Sequence, residues 1–280
     1  MAFRKAAAES AFEGDLGPGK VTILGASGLR LTGLGSFWLD EGPDFAWLNI
    51  YRTLCIGRQL EITRERPAVV EADGDAVVVR WKPSEEVNAT LSARYQLVQS
   101  DSAVDVEFAA ELEQDYPGFE LFIANYFTPQ FRPRYAVADN LTHPEGVFWY
   151  QKQWCGDGEN ESWARDEAAE GTFADGRWID GYPLNWRRGP QYAYPLMTQE
   201  HRNGLANEKG AIVIMARRSD CYGISGFNSY HNSQYLHLGG NDARAGERVA
   251  FVVRMVLLVG YQDLQTEALA LYDAWTEGGA

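Results

Sequence analysis

The chain has 280 residues and carries 25 Lys+Arg against 39 Asp+Glu, a net charge of −14. Hydrophobic residues make up 45% and charged residues 23%, the balance of a chain that buries a core rather than of a disordered one. The acidic balance argues against a nucleic-acid binder and against an anionic membrane surface, since both need a basic patch.

The first ten residues, MAFRKAAAES, lack the apolar stretch of a secretory signal. The expectation is a cytoplasmic protein, or an exported one whose signal lies outside this sequence. No apolar run approaches the ~20 residues that a membrane-spanning helix requires. Strands are predicted at Lys20–Leu24 and Leu29–Gly33. In AVVEADGDAVVVRW, Asp73-Gly74 separates two β-branched runs, a hairpin signal because Gly tolerates the positive φ of a tight turn. Ala89, Leu91, Ala93, Tyr95 and Leu97 alternate with polar residues, and Val104, Val106, Phe108 and Ala110 repeat the pattern. Such a period of two marks half-buried antiparallel strands, here a four-strand meander.

Further strands are predicted at Phe119–Phe127, Val147–Trp154, Ala211–Ala216, Cys221–Phe227, Gln234–Leu238 and Arg248–Val259, the last buried on both faces. Gly156–Tyr194 has no clear period and reads as long loops. Leu264, Ala268, Leu271, Tyr272 and Trp275 share one helical face, with Asp263 near the start and Gly278-Gly279 past the end. The fold class is therefore all-β: a large antiparallel sandwich with long loops and one C-terminal helix, in a single domain over residues 1–280.

Cys55, Cys155 and Cys221 show no paired spacing, so neither a disulfide framework nor a zinc knuckle is expected. No dinucleotide or phosphate-binding glycine loop appears, and GISG at 223–226 misses the G-x-S-x-G pattern by one position. Four His, widely separated, do not make a metal cluster, so no metal and no cofactor are expected.

Five of the nine Trp, at 149, 154, 163, 178 and 186, fall in one stretch rich in acids. An indole ring stacks on the apolar face of a pyranose while charged and amide groups bind its hydroxyls, so the stretch is read as a sugar-facing cleft. Trp149, Trp163, Trp178 and Trp186 are the candidate stacking residues. Trp47, Asn49 and Arg52 form a second polar-aromatic group, and Glu120, Asn125, Tyr126 and Arg132 a third. On a strand over Phe119–Phe127, Glu120 and Phe122 face away from Leu121, Ile123 and Asn125. A partly buried Glu120 has a raised pKa suited to proton transfer. Glu120 and His231 are the expected proton carriers, with His201 and Asp180 in reserve, and Arg52 and Arg132 bind hydroxyls or a carboxylate.

The meander AVVEADGDAVVVRW…VNATLSARYQLVQSDSAVDVEFAAELE and the ending YLHLGGNDARAGERVAFVVRMVLLVG resemble the galactose mutarotase-like proteins over roughly Leu29 to Gly260. Asn49 and Arg52 stand in an N-x-x-R arrangement similar to an early segment of the aldose 1-epimerases. The resemblance implies a β-supersandwich with a concave sugar cleft and acid/base proton transfer at or near an anomeric carbon. The sequence lacks the family's mid-chain histidine pair and late glutamate motif. A non-catalytic carbohydrate-binding protein of the same fold is the alternative, and an assembly subunit with Trp-rich loops at its interface is a third. The expected partner is a carbohydrate, with oligomeric state open.

Overall fold

The structure, a computed structural model, describes residues 2–6, 11–25, 32–38, 48–139, 142, 146–151, 160–178, 187–204, 208–228 and 231–278. In chain order the first strands are β1 (Arg4–Lys5), β2 (Ala11–Asp15), β3 (Lys20–Leu24), β4 (Gly33–Trp38), β5 (Asn49–Cys55) and β6 (Arg58–Glu61). The meander follows as β7 (Val69–Asp73), β8 (Ala76–Trp81), β9 (Ala89–Val98) and β10 (Ala103–Leu112), then β11 (Tyr116–Phe127), β12 (Phe131–Ala138) and β13 (Val147–Gln151). After β14 (Asn160–Ala164) come helix α1 (Glu167–Phe173) and β15 (Arg187–Arg188). The chain closes with β16 (Tyr192–His201), β17 (Gly210–Ala216), β18 (Cys221–Asn228), β19 (Asn232–Ala243), β20 (Arg248–Val259) and helix α2 (Leu264–Glu277).

These strands make three sheets. One has four strands, β1-β2-β3-β4. A second has nine, β13-β12-β16-β17-β20-β10-β9-β8-β7, and a third has seven, β15-β14-β18-β19-β11-β5-β6. Pairing is antiparallel except for the short β14–β15 contact. The predicted meander holds: β7 to β10 are successive neighbours, and Gly74 turns the first hairpin at φ +60°. Every second residue of β9 is buried, from Ala89 to Leu97, as the period of two requires. Those residues meet Leu121, Ile123 and Phe127 of β11 and Leu236 and Leu238 of β19 in one core between the two large sheets. Val21, Ile23 and Leu34 of the small sheet join the same core.

Two expectations are corrected. β20 is not buried on both faces. It lies between β17 and β10, and its outward Arg254 forks onto Asp105 of β10, so only part of the strand is enclosed. The stretch 156–194 is not all loop, because it contains β14, α1, β15 and the start of β16. Asp166 caps α1 by accepting from the Ala169 amide. The C-terminal helix is as read from the sequence. Asp263 caps it by accepting from Thr266, and Leu264, Ala268, Tyr272 and Trp275 pack on the outer face of the nine-stranded sheet against Ala211, Val213 and Met215. No described helix is long and apolar enough to cross a membrane.

Candidate functional site

The outer face of the seven-stranded sheet, opposite the core, is built from residues of five strands. Register places Arg52, Phe122 and His237 in one row and Asn49, Ala124 and Tyr235 in the next. A third row runs Tyr126, Ser233, Phe227 and Asn160. Phe122 stacks on Tyr235 at 4.9 Å and meets Trp178 edge-on at 5.0 Å. Arg64, from the turn after β6, lies 4.0 Å over the Tyr51 ring and donates to the Tyr126 hydroxyl at 2.7 Å. Ala124 is the small residue among these rings. A small pocket of about 10 Å³, room for a single water molecule, lies above it, walled by Asn49, Tyr51, Arg64 and Tyr126. Asn49 is set by its own contacts: its Oδ1 accepts from the Ile50 amide at 2.8 Å, and its Nδ2 donates to Thr32 O. Gly33, at φ +125°, is required beside it, because a Cβ there would fall 2.7 Å from Asn49 Nδ2.

At the other end of the same face lies a buried charged knot. Glu120 Oε2 accepts from Arg177 Nη1 at 3.0 Å and from the Tyr222 hydroxyl at 2.6 Å, and Oε1 accepts from His237 Nδ1 at 2.9 Å. His237 Nε2 lies 2.8 Å from Ser225 Oγ. Asp175 takes the other edge of the Arg177 guanidinium in a fork, Nε to Oδ1 at 3.0 Å and Nη2 to Oδ2 at 2.6 Å. The side chains of Glu120, Arg177 and His237 are all 0% exposed. Phe122 and Phe173 close on the imidazole at 4.8 and 4.7 Å.

The expected rise of the Glu120 pKa is corrected. Burial does push it up, but the hydrogen bond and charge of His237, the charge of Arg177 and the Tyr222 hydroxyl together outweigh burial and lower it. Burial likewise opposes the Arg177 charge, and Asp175 and Glu120 overcome it and raise that pKa. Ser225, His237 and Glu120 have the connectivity of a serine–histidine–carboxylate relay. Ser225 is, however, in mid-strand and 0% exposed. In this enclosed state the relay orients an imidazole and stores charge; it does not present a hydroxyl to solvent.

His231 packs tilted against Tyr126 at 4.9 Å and against Phe227 at 5.4 Å. Burial, then the nearby Arg64 charge, pushes its pKa down to about 4. An unfolded histidine near 6.5 takes up its proton first on acidification, so stability from this group is full above that pH and is lost between about 6.5 and 4. We expect His231→Gln to flatten the fall of stability across this window by roughly 1–2 kcal/mol, allowing for solvent screening of a partly exposed ring. Urea midpoints measured at pH 7, 5.5 and 4.5 check this; parallel curves for wild type and variant would refute it.

No protein-family model matches the sequence, and comparison with curated proteins returns no match. Solved structures do match. A galactose mutarotase related enzyme from Lactobacillus acidophilus superposes with a TM-score of 0.46 at 11% identity, over 90% of this chain and 99% of that one. An alpha-N-acetylgalactosaminidase from Bifidobacterium bifidum gives 0.49 at 12% identity, over 99% of this chain and 39% of that one. The galactosidase domain of an alpha-galactosidase-sucrose kinase gives 0.54 at 9% identity, over 92% of this chain and 42% of that one. The chain shares the fold of this galactosidase domain. The chain spans only about two fifths of the length of the latter two proteins.

Within this frame the residues singled out by sequence divide among several places. Asn49, Arg52, Glu120, Trp178 and His231 share the outer face of the seven-stranded sheet. Arg52 donates to Gln59, and its Nη2 donates to the Tyr51 hydroxyl at 3.3 Å. Glu120 and His231 do not meet. His231 sits on Tyr126, six residues along β11 from Glu120, and ~3.3 Å of rise per residue separates them by ~20 Å. As one acid/base pair on one substrate atom, they are ruled out by distance. Asn125 faces the core instead and donates to Gln234 O at 3.3 Å.

The single Trp-lined cleft is also corrected. Trp163 of β14 lies in the core between the sheets, whereas Trp149 of β13 packs with the α2 cluster, because the two strands belong to different sheets. Arg132 and His201 sit together at one end of the nine-stranded sheet, away from Glu120. Trp47, Trp154, Asp180 and Trp186 lie outside the described residues. His237, Tyr222, Ser225, Arg177 and Arg64 were not found by sequence. The partner of His237, Glu120, is 117 residues away in the chain.

Proposed function

We propose that the protein binds a carbohydrate on the outer face of the seven-stranded sheet, over the rings that surround Ala124 rather than within the small pocket between them. The observation that carries this reading is the grouping of Tyr51, Tyr126 and Arg64 around that one small side chain, with Asn49 at the edge and His231 on the far side of Tyr126. Flat rings beside a guanidinium and an amide suit a sugar, which offers an apolar C–H face and a rim of hydroxyls. His231, with its pKa near 4, stays neutral at pH 7 and offers a hydrogen-bonding ring without charge. The galactosidase domain that shares the fold supports the ligand class.

Binding is the better supported role over proton transfer at the anomeric carbon. Glu120 is fully engaged by Arg177, Tyr222 and His237, and it stands far from His231.

A thermal-shift panel of mono- and oligosaccharides, followed by calorimetry, tests the reading. A cognate sugar at 100 times its dissociation constant is expected to stabilise the fold by about 2.7 kcal/mol. Ala124→Leu, which fills the pocket, and Tyr126→Ala, which removes a wall, are each expected to weaken that sugar at least about tenfold. No response to any sugar sinks the reading. Undiminished binding by both variants moves the site elsewhere.

A further inference from the structure

An open cleft of about 440 Å³ lies at one end of the nine-stranded sheet, lined by Arg132, Glu200, His201, Arg202, Glu208, Lys209 and neighbouring turn residues. Its volume is that of a small-molecule site, and its walls come from separate elements. Arg132 lies near the start of β12, opposite Glu200 of β16. Arg202 is in the turn after β16, Lys209 precedes β17, and Tyr261 stands between β20 and α2.

The charges in this cleft are unevenly committed. Glu200 is already satisfied: Arg134 Nη1 reaches its Oε2 at 3.0 Å, and the Tyr261 hydroxyl donates to its Oε1 at 3.0 Å. Arg202 uses Nε on Pro129 O at 3.2 Å, and Lys209 spends one donor on Gln262 O at 3.2 Å. Among the described residues Arg132 has no hydrogen-bond or ion-pair partner, and neither does Glu208. His201 is held by its Nδ1, which donates to Gly204 O at 2.7 Å. Three cationic side chains therefore face one uncommitted carboxylate, a local excess of two positive charges in a chain of net charge −14.

We propose that this cleft binds a dianionic phosphate group. A phosphate monoester carries about −1.5 to −2 charges at pH 7 and has three acceptor oxygens, which matches an excess of two positive charges with several unspent N–H donors. Guanidinium groups bind phosphate in a planar, two-pronged geometry, and the Lys209 ammonium adds a point charge. The volume leaves room beyond the phosphate for a small organic portion. The cleft lies on a different sheet from the Ala124 pocket, so this proposal and the carbohydrate reading stand or fall separately.

Calorimetry on the full chain, with inorganic phosphate, glucose 6-phosphate and glucuronate as probes, tests it. At least one phosphate species is expected to bind, and to bind more weakly as salt is raised. Equal affinity for inorganic phosphate and glucose 6-phosphate identifies free phosphate as the ligand; tighter binding of glucose 6-phosphate identifies the ester. Arg132→Ala and Lys209→Ala, both at exposed positions, are each expected to lower affinity about tenfold or more with an unchanged melting temperature. Glu208→Gln is expected to tighten binding several-fold by removing the opposing charge. Absence of binding by both phosphates, equal binding of glucuronate, or full affinity in the Arg132→Ala/Lys209→Ala double variant each overturns the proposal.

Discussion

Glu120→Ala is expected to lower folding stability by about 3–5 kcal/mol, because it leaves Arg177 and His237 buried without their shared carboxylate. The attraction within the knot offsets the desolvation of its charges only while every partner is present. Asp175 alone does not compensate, since it grips the opposite edge of the guanidinium. Replacing both charges, as in Glu120→Leu/Arg177→Met, is expected to recover part of the loss, since an apolar pair of similar size carries no desolvation cost.

The sign with pH follows from the lowered Glu120 pKa. Its contribution is full above the ordinary carboxyl value of 4.5 and is lost as pH falls through the lower folded value. Glu120→Gln should therefore show a shallower loss of stability below pH 4.5 than wild type. Urea unfolding of wild type and the three variants at pH 7, and again at several pH values below 4.5, measures all three effects. An alanine variant within about 1 kcal/mol of wild type would show that the knot is a surface feature.

Trp163→Ala is the second large effect, again about 3–5 kcal/mol. Trp163 is 2% exposed, lies 4.5 Å from the Tyr135 ring and 5.4 Å from that of Tyr150, and fills the core between the sheets. Gly189 passes so close that a Cβ there would stand 2.3 Å from the indole nitrogen. Alanine would leave a cavity that neither sheet can close, since each is held by its own ladder of hydrogen bonds. The variant also separates two roles for this tryptophan. A core residue costs stability and leaves sugar affinity of the surviving fold unchanged; a stacking residue does the reverse. Denaturant midpoints and sugar titrations on one sample read both.

The period of two along Ala89–Leu97 and Val104–Ala110, the Asp73-Gly74 turn and the helical face ending at Trp275 are local patterns, and each became the predicted element. Glu120 was recognisable as unusual from its bulky apolar neighbours alone. The mistaken sugar-facing tryptophan cleft came from treating nearness in sequence as nearness in space. Val147–Gln151 and Asn160–Ala164 are close in the chain but join different sheets, so their tryptophans part. Helix α1 was missed because seven residues, one of them Gly171, are too few to show a helical period.

The sequence by itself determined that this is an all-β chain whose strands show one apolar face, because side-chain alternation is a property of each strand alone. Only the tertiary structure decided which polar residues meet. Glu120 finds Tyr222 102 residues away and His237 117 away, through the pairing of β11, β19 and β18. That pairing depends on register, and no residue on a strand specifies which distant strand will lie beside it.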